Sequence, residues 1–482
     1  MTIRKSLGYS GLTQILIFLL NFGCVLIISR LLTPEEIGVF SVSVGLLSFA
    51  HVLRDFGVGN FLIQAKVITR DNLRSAYSVM LYSSWTIAVL LYSIRDVAAN
   101  FYDQPGIADV LGLIAINFLI IPFGAPVLTL LRREMEFGKV AVVSIGNAVV
   151  QVFVTVMCAQ NGFSYLSMAW GSIAGMVTNV LLLIIFRPVE MSFFPTIKGV
   201  GEVLNFGYKS IILAFSSEAG NSAPDIILGR TLGFSTVAYY SRASGLIQMA
   251  VGQVVKVIYD VFLPAFAKDL REGEDPVRGY CKAMSLMVSI LAPMIAFIMV
   301  MAEPLIILLF GDQWVPAVPI ASVLSFYALI SCPFLLAGSA LIAAGQIAVV
   351  MRIQLVIQAL TVSIFLTSIW LPLSSVILIQ SISTAASIIL HAKALELYFG
   401  LRINALWQSV RGSYFLVLLS ISPSLLLRVL SSGFGFNISL TYIFILGVFS
   451  FVCFWLLAVY YINHPIKSEI QKILGSLGSR FK

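Results

Sequence analysis

Residues 21–46, NFGCVLIISRLLTPEEIGVFSVSVGL, return two hundred positions later as residues 221–246, NSAPDIILGRTLGFSTVAYYSRASGL. Asn21, Ile27, Arg30, Leu32, Ser41, Gly45 and Leu46 meet identical partners at Asn221, Ile227, Arg230, Leu232, Ser241, Gly245 and Leu246, and Phe40 is answered by Tyr240. Each stretch is an apolar run, a polar break and a second apolar run, the pattern of two helices and their turn. Further on, Asp103-Gln104 answers Asp312-Gln313 and the helix breaker Pro122-Phe123 answers Pro333-Phe334, at offsets of 209 and 211. The constant order and nearly constant offset predict two six-helix lobes. Six is an even number, so the second lobe enters from the same side as the first, and the repeats are parallel, related by an axis along the membrane normal.

The composition around this repeat sets the class. Of 482 residues, 59% are hydrophobic and 11% charged, with a mean hydropathy of +0.99, against about 25% charged in an ordinary soluble domain. A soluble globular protein is excluded. A bilayer core of about 30 Å takes about 20 helical residues, so the chain holds roughly 12 to 15 spans and no sizeable extramembrane domain. The sequence predicts an all-α polytopic membrane protein of about fourteen helices. Among them the third is expected over 75–94, the seventh over 207–229, the eighth over 236–263 and the thirteenth over 412–430. The five cysteines fall in apolar stretches without C-x-x-C spacing, which argues against disulfides and metal sites. The charged N-terminus reads as leading into a retained first helix, since no small-residue cleavage site follows it.

Lysine and arginine placement tests the count, because cytoplasmic loops carry the basic excess. With the N-terminus inside, 24 of the 30 basic residues fall in cytoplasmic segments, Arg30, Arg95, Arg230 and Arg428 fall outside, and Arg242 and Lys256 fall within the eighth span. Both termini are therefore expected in the cytoplasm. The net charge of +8 reflects this bias and does not point to nucleic acid. The organisation that follows is an N-terminal six-helix lobe over 1–186 and a cytoplasmic interfacial linker over 187–206. A C-terminal six-helix lobe over 207–400 comes next, then two additional helices and a tail over 401–482.

No enzymatic signature is found: there is no G-x-x-x-x-G-K-[ST], H-E-x-x-H, G-x-S-x-G or D-x-D, and the longest expected external loop is the short RDVAANFYDQPG. An enzyme and an ATP-driven pump are both disfavoured, and no cofactor is expected. What remains is ionisable residues within spans, where a central charge costs about 2.5–3.5 kcal/mol on insertion scales. Glu218 lies halfway along the seventh helix in the polar run Ser216–Ser222, with Asp225 seven residues on and so on the same face. It reads either as a cavity-facing carboxylate that binds a coupling cation or proton, or as a buried acid neutralised or paired for packing. Arg242, near the external end of the eighth helix, is at a depth to pair with Asp225. Lys256 and Asp260 have the spacing of an interfacial ion pair. His51, Arg54 and Asp55 share one turn at the inner end of the second helix, where Arg54 either snorkels or faces a cavity. Arg30 and Arg230 are placed to cap the ends of helices one and seven. Pro122, Gly124 and Pro126 in the fourth helix and Pro333 in the tenth break equivalent helices.

Three segments carry a family resemblance: SRLLTPEEIGVFSVSVGLLSFAHVLRDFGVGNFLIQ (Ser29–Gln64), LRREMEFGKVA after the fourth helix, and AEPLIILLFGDQWVPAVPI (Ala302–Ile320). They resemble the polysaccharide transporter family, the Wzx-type flippases of the multidrug, oligosaccharidyl-lipid and polysaccharide exporter superfamily. The resemblance implies two lobes around a central cavity and alternating access. It implies translocation of undecaprenyl-diphosphate-linked oligosaccharide across the bacterial inner membrane, with membrane lipids, polysaccharide polymerase and export machinery as partners. By analogy with related lipid flippases, Arg242, Lys256, Arg54 and Arg30 are candidates to hold the diphosphate, and Glu218 and Asp225 to couple transport to an ion. The alternatives are a cation-coupled drug or toxin extruder of the same superfamily, and a non-transporting scaffold of a polysaccharide assembly complex.

Overall fold

The computed structural model describes residues 3–55, 58, 69–187, 195–196, 200–433, 439–461 and 466–467. Half of the expected linker 187–206, namely 188–194 and 197–199, and most of the C-terminal tail lie outside the described residues, while 200–206 already belong to a helix. The first unit, Met1–Ala238, contains α1 (Ile3–Leu31), α2 (Pro34–Asp55), α3 (Arg70–Tyr102), α4 (Pro105–Ile120), α5 (Ala125–Arg133), α6 (Phe137–Gln160), α7 (Leu166–Ile185) and α8 (Val200–Thr231), and it ends in the first turn of α9 (Phe234–Glu272). The second unit, Tyr239–Lys482, holds the rest of α9 with α10 (Pro276–Val300), α11 (Ala302–Phe310), α12 (Ala317–Ser331), α13 (Ala337–Ala343), α14 (Ile347–Leu366), α15 (Leu373–Phe399), α16 (Ile403–Gly433) and α17 (Leu440–Tyr461). Among the described residues thirteen helical stretches are long and apolar enough to cross a membrane. The fourteenth expected span is α8, whose 32 residues suffice in length but whose polar centre keeps it out of that set.

Several helix ends run past the positions where charge marks the end of the apolar run. Helix α3 continues through Arg95 and Asp96 to Tyr102, so most of the expected loop RDVAANFYDQPG is helical and the connection to α4 shrinks to Asp103 and Gln104. Likewise α9 extends to Glu272 and α16 begins at Ile403. Charges report where hydrocarbon stops, whereas a helix can continue into the interface as long as its backbone bonds are made.

The repeat is visible in the backbone. The first turn is a capping box in which Thr33 N–H donates to the Glu36 carboxylate at 2.7 Å and Glu36 N–H to Thr33 Oγ1 at 3.3 Å. Its counterpart uses Gly233 at φ 88°. The broken helices match too: α4 and α5 are separated by a 3-10 turn at Ile121–Phe123, and α12 and α13 by one at Cys332–Phe334. Carbonyls near each break find donors on a neighbouring helix. Trp85 Nε1 donates to Leu119 at 3.2 Å and Tyr280 Oη to Pro333 at 3.1 Å, as apolar surroundings require. The turn after α5 has Met135 at φ 58°, and the turn after α13 has Gly345 at φ 76°.

Close packing follows small residues. Gly171 and Gly175 on α7, a G-x-x-x-G pair, press against Gln151, Thr155 and Asn147 on α6 with no room for a Cβ. In the second unit a buried cluster gathers α9, α10, α12, α13, α15 and α16 around Met284, Met287, Leu291 and Ile295. The two additional helices are part of this packing: Ser413 Oγ donates to the Ser285 carbonyl at 3.1 Å, Trp455 Nε1 to Ser289 at 3.1 Å, and Arg428 of α16 pairs with Glu303 of α11.

The division between units falls after Ala238, later than the 187–206 boundary that the repeat suggests, because α8 packs on α2 and α3. Small side chains allow that packing. A Cβ on Gly229 would meet Val42 Cγ2 at 2.5 Å and one on Gly45 would lie 3.3 Å from Ile226 Cγ1, while one on Gly38 would run into the carbonyl of Phe234 at the start of α9.

Candidate functional site

The face of α2 that carries Gly38, Val42, Gly45 and Ser48 runs antiparallel to the face of α8 that carries Gly229, Ile226, Ser222 and Phe215. Along it, the Phe49 and Phe215 rings meet at 5.0 Å, and a Cβ on Gly45 would lie 3.3 Å from Ile226 Cγ1 and 3.5 Å from Asp225 Cβ. Between these apolar contacts lies a polar chain. Ser222 Oγ is 2.8 Å from Glu218 Oε1 and 2.7 Å from Ser48 Oγ, and Ser48 Oγ is 2.6 Å from the Gly45 carbonyl oxygen. Glu218 and Asp225 are both half-buried. Ser48 was not among the residues expected from sequence; its place one turn after the repeat-matched Gly45 was the available signal.

At the far end of α8 the contact with α3 is made by three groups. Tyr102 Oη donates to the Ile226 carbonyl at 3.0 Å, Arg230 Nη1 donates to Asp103 Oδ2 at 2.8 Å, and the Arg230 guanidinium lies 5.5 Å from the Phe101 ring centroid. Arg230 therefore ties two helices together as well as ending its own. Arg30, in the last turn of α1, is exposed. Arg54, in the last turn of α2, is half-buried with Nη1 3.4 Å from His51 Nδ1, and the His51 ring lies 4.9 Å from Phe118.

In the second unit Arg242 is half-buried on α9, its guanidinium 5.5 Å from the centroid of the Trp314 ring. Trp314 is fully buried and framed by Tyr239 and Phe310 at 5.9 and 6.2 Å. The segment Asp312–Trp314 is thus the support for an intramembrane cation. Lys256 and Asp260 are both exposed and, among the described residues, no ion pair joins them, contrary to their i,i+4 spacing. Exposed pairs of this kind gain too little to fix two long side chains.

Also in the second unit, α9, α10 and α17 enclose a groove of about 810 Å³ whose walls include Val257, Val261, Phe262, Met287, Ile290 and Trp455, with Asp269 and Lys282 among its few polar groups. Val257 and Val261 are each 66% exposed, so the α9 wall offers open apolar surface. In the first unit a smaller cavity of about 500 Å³ is lined by Asp96, Asp103 and Asp109; Asp103 is taken up by Arg230 and Asp109 accepts from Tyr165 Oη at 3.4 Å. Among the described residues no cluster of three His, Cys, Asp or Glu side chains is placed to hold a metal ion.

A bundle of membrane-length helices, with an internal repeat, matched helix breaks and charges inside the spans, defines a multi-pass membrane protein of transporter architecture. Its fold is that of two solved structures. The lipid II flippase MurJ in an inward closed conformation matches with a TM-score of 0.75 over 95% of this chain and 99% of that one, at 11% identity. An inward-facing multidrug resistance MATE family transporter of the MOP superfamily matches with a TM-score of 0.64 over 81% and 96%, at 15% identity. At these identities the likeness concerns the fold alone. Residues 27–319 match the family model described as polysaccharide biosynthesis protein, and the chain belongs to that family. Its relatives include the lipopolysaccharide biosynthesis protein WzxC of Escherichia coli (strain K12), 23% identical over 70% of this chain and 69% of the relative. The succinoglycan biosynthesis transport protein ExoT of Rhizobium meliloti (strain 1021) is 24% identical over 67% and 66%. The teichuronic acid biosynthesis protein TuaB of Bacillus subtilis (strain 168) is 24% identical over 62% and 62%. The match thus spans about two thirds of the length of these relatives.

Proposed function

We propose that this protein is a flippase that carries undecaprenyl-diphosphate-linked oligosaccharide from the cytoplasmic to the outer leaflet of a bacterial inner membrane, for surface or exopolysaccharide synthesis. The observation that carries the reading is that one helix, α9, presents both a half-buried cation and the wall of an apolar groove. Arg242 and Val257 are about four turns apart, roughly 22 Å along the axis. That separation suits an amphiphile with an anionic head and a long hydrocarbon tail. A diphosphate cannot cross hydrocarbon without compensating charge, and a guanidinium supplies it in bidentate form. Arg242 is the principal head-group ligand. Lys256, Arg54 and Arg30 attract the head group at entry. Both termini face the cytoplasm, and polymerase and export machinery take up the product.

Movement in this reading comes from α8. The repeat assigns it to the lobe 207–400, yet it packs on α2 and α3; parting that contact frees it to move. Glu218 and Asp225, on the moving helix, couple the change to an ion gradient. The test is translocation of a fluorescent lipid-linked oligosaccharide by purified protein in proteoliposomes, with and without a pH or sodium gradient. Translocation that is lost in Arg242→Ala is the expected result. Absence of translocation by the parent favours a scaffold, and export of organic cations independent of Arg242 favours a drug extruder.

A further inference from the structure

We infer that Glu218, Ser222, Ser48 and the Gly45 carbonyl form a proton-binding site that is fully hydrogen-bonded only when Glu218 carries the proton. Three oxygen–oxygen contacts run in series, 2.8 Å from Glu218 to Ser222, 2.7 Å from Ser222 to Ser48 and 2.6 Å from Ser48 to the Gly45 carbonyl. At these separations each contact needs a hydrogen between its oxygens. A serine hydroxyl has one hydrogen and a carbonyl none, so the two serines fill two of the three contacts. The third hydrogen has to come from Glu218.

With the carboxylic acid, the bonds run one way: Glu218 donates to Ser222, Ser222 to Ser48, and Ser48 to the Gly45 carbonyl. With the carboxylate the order reverses, Ser48 donating to Ser222 and Ser222 to Glu218. Ser48 then turns lone pairs toward the Gly45 carbonyl, and that end of the chain has to open. The proton therefore sets the direction of a relay that crosses from α8 to α2. This deepens the reading of α8 as the moving helix, because the ligand that secures the α2–α8 contact is a hydrogen ion.

Other ionisable groups do not share in the chain. From α2 these are Glu35 and Glu36 at its start, with Glu36 held by Thr33, and His51 and Arg54 at its other end. From α3, Tyr102 reaches α8 at the Ile226 carbonyl, and on α8 itself Asp225 lies beside Gly45. Among the described residues Glu218 is hydrogen-bonded only to Ser222.

Infrared difference spectra of the full-length protein in nanodiscs, without substrate, between acidic and alkaline buffer test the site. The expected result is a carboxylic-acid C=O band that disappears at alkaline pH, is missing from Glu218→Gln and is shifted in Ser222→Ala, which removes the acceptor. Ser222→Thr keeps the hydroxyl and should keep the band in place, which covers the case of a poorly folded alanine variant. The melting temperature of the parent should fall on going to alkaline pH. That of Glu218→Gln, whose amide donates permanently to Ser222, should move less. Absence of a band sensitive to Glu218→Gln, a band unmoved by Ser222→Ala, or its loss on adding sodium at constant pH would overturn the inference. Because no substrate is used, a failed translocation assay and a failed infrared assay are separate results.

Discussion

The Arg230 guanidinium donates to Asp103 at 2.8 Å, holding the last turn of α8 to the turn that follows α3. The two side chains are 47% and 76% exposed, so the pair is worth about 0.2–1 kcal/mol and weakens with salt. A double-mutant cycle on thermal unfolding, with Asp103→Ala and Arg230→Ala, should return a coupling of that size. The charge-swapped protein, Asp103→Arg with Arg230→Asp, should recover part of it. A coupling near zero at low salt would mean that Tyr102 and its bond to the Ile226 carbonyl hold this end alone.

Glycines on the α2 face separate close approach from mere helix content. Gly38→Ala places a methyl group against the Phe234 carbonyl, and overpacking of this kind costs about 1–3 kcal/mol. Gly245→Ala, the substitution at the repeat-mate of Gly45, meets nothing within 4 Å and should stabilise α9 by up to about 1 kcal/mol through helix propensity. Melting temperatures of the two variants in detergent should move in opposite directions.

The paired turns after α5 and α13 make a similar comparison. Met135 holds φ 58° where Gly345 holds φ 76°, and the left-handed region is disfavoured for residues with a Cβ. Met135→Gly should raise stability by about 0.5–1 kcal/mol and Gly345→Met should lower it by more, since glycine carries no steric penalty there. Thermal unfolding of both variants checks the sign.

Arg242 and Trp314 separate substrate binding from support. Arg242→Ala should abolish complementation of a polysaccharide-deficient strain at a normal protein level. Arg242→Lys should rescue in part because it loses the planar fork. Trp314→Ala, at a fully buried position, should cost about 3–5 kcal/mol and reduce the protein level itself. Trp314→Phe should keep the level and lose activity in proportion to the weaker cation–π contact. Full activity of Arg242→Ala would remove that residue from the site.

The repeat made the two-helix unit, its turn and the matched breaks legible, because Pro122 and Pro333 act on the backbone within one turn of themselves. Helix ends at Tyr102, Glu272 and Ile403 were not legible: Arg95 and Asp96 end the apolar run without ending the helix. Arg230 read as a cap for the same local reason. Its partner Asp103 lies 127 positions away, and only the shared side of the membrane hinted at it. Glu218 stood out as a carboxylate in an apolar span, whereas Ser48 looked like any helical serine until α8 was laid against α2. The packing of α8 on α2 depends on the glycines at 45 and 229, and nothing in a single helix says which neighbour a glycine face will choose.

Gly171 and Gly175 bring α7 into backbone contact with α6, and only residues 161–165 separate the two helices. A pair so close in sequence and so tightly fitted can form before any later helix is made. The chain can therefore enter the bilayer at this point as a finished hairpin. Substituting either glycine should be felt first in biogenesis, as retention or degradation of the nascent chain, and only secondarily in the activity of molecules that mature.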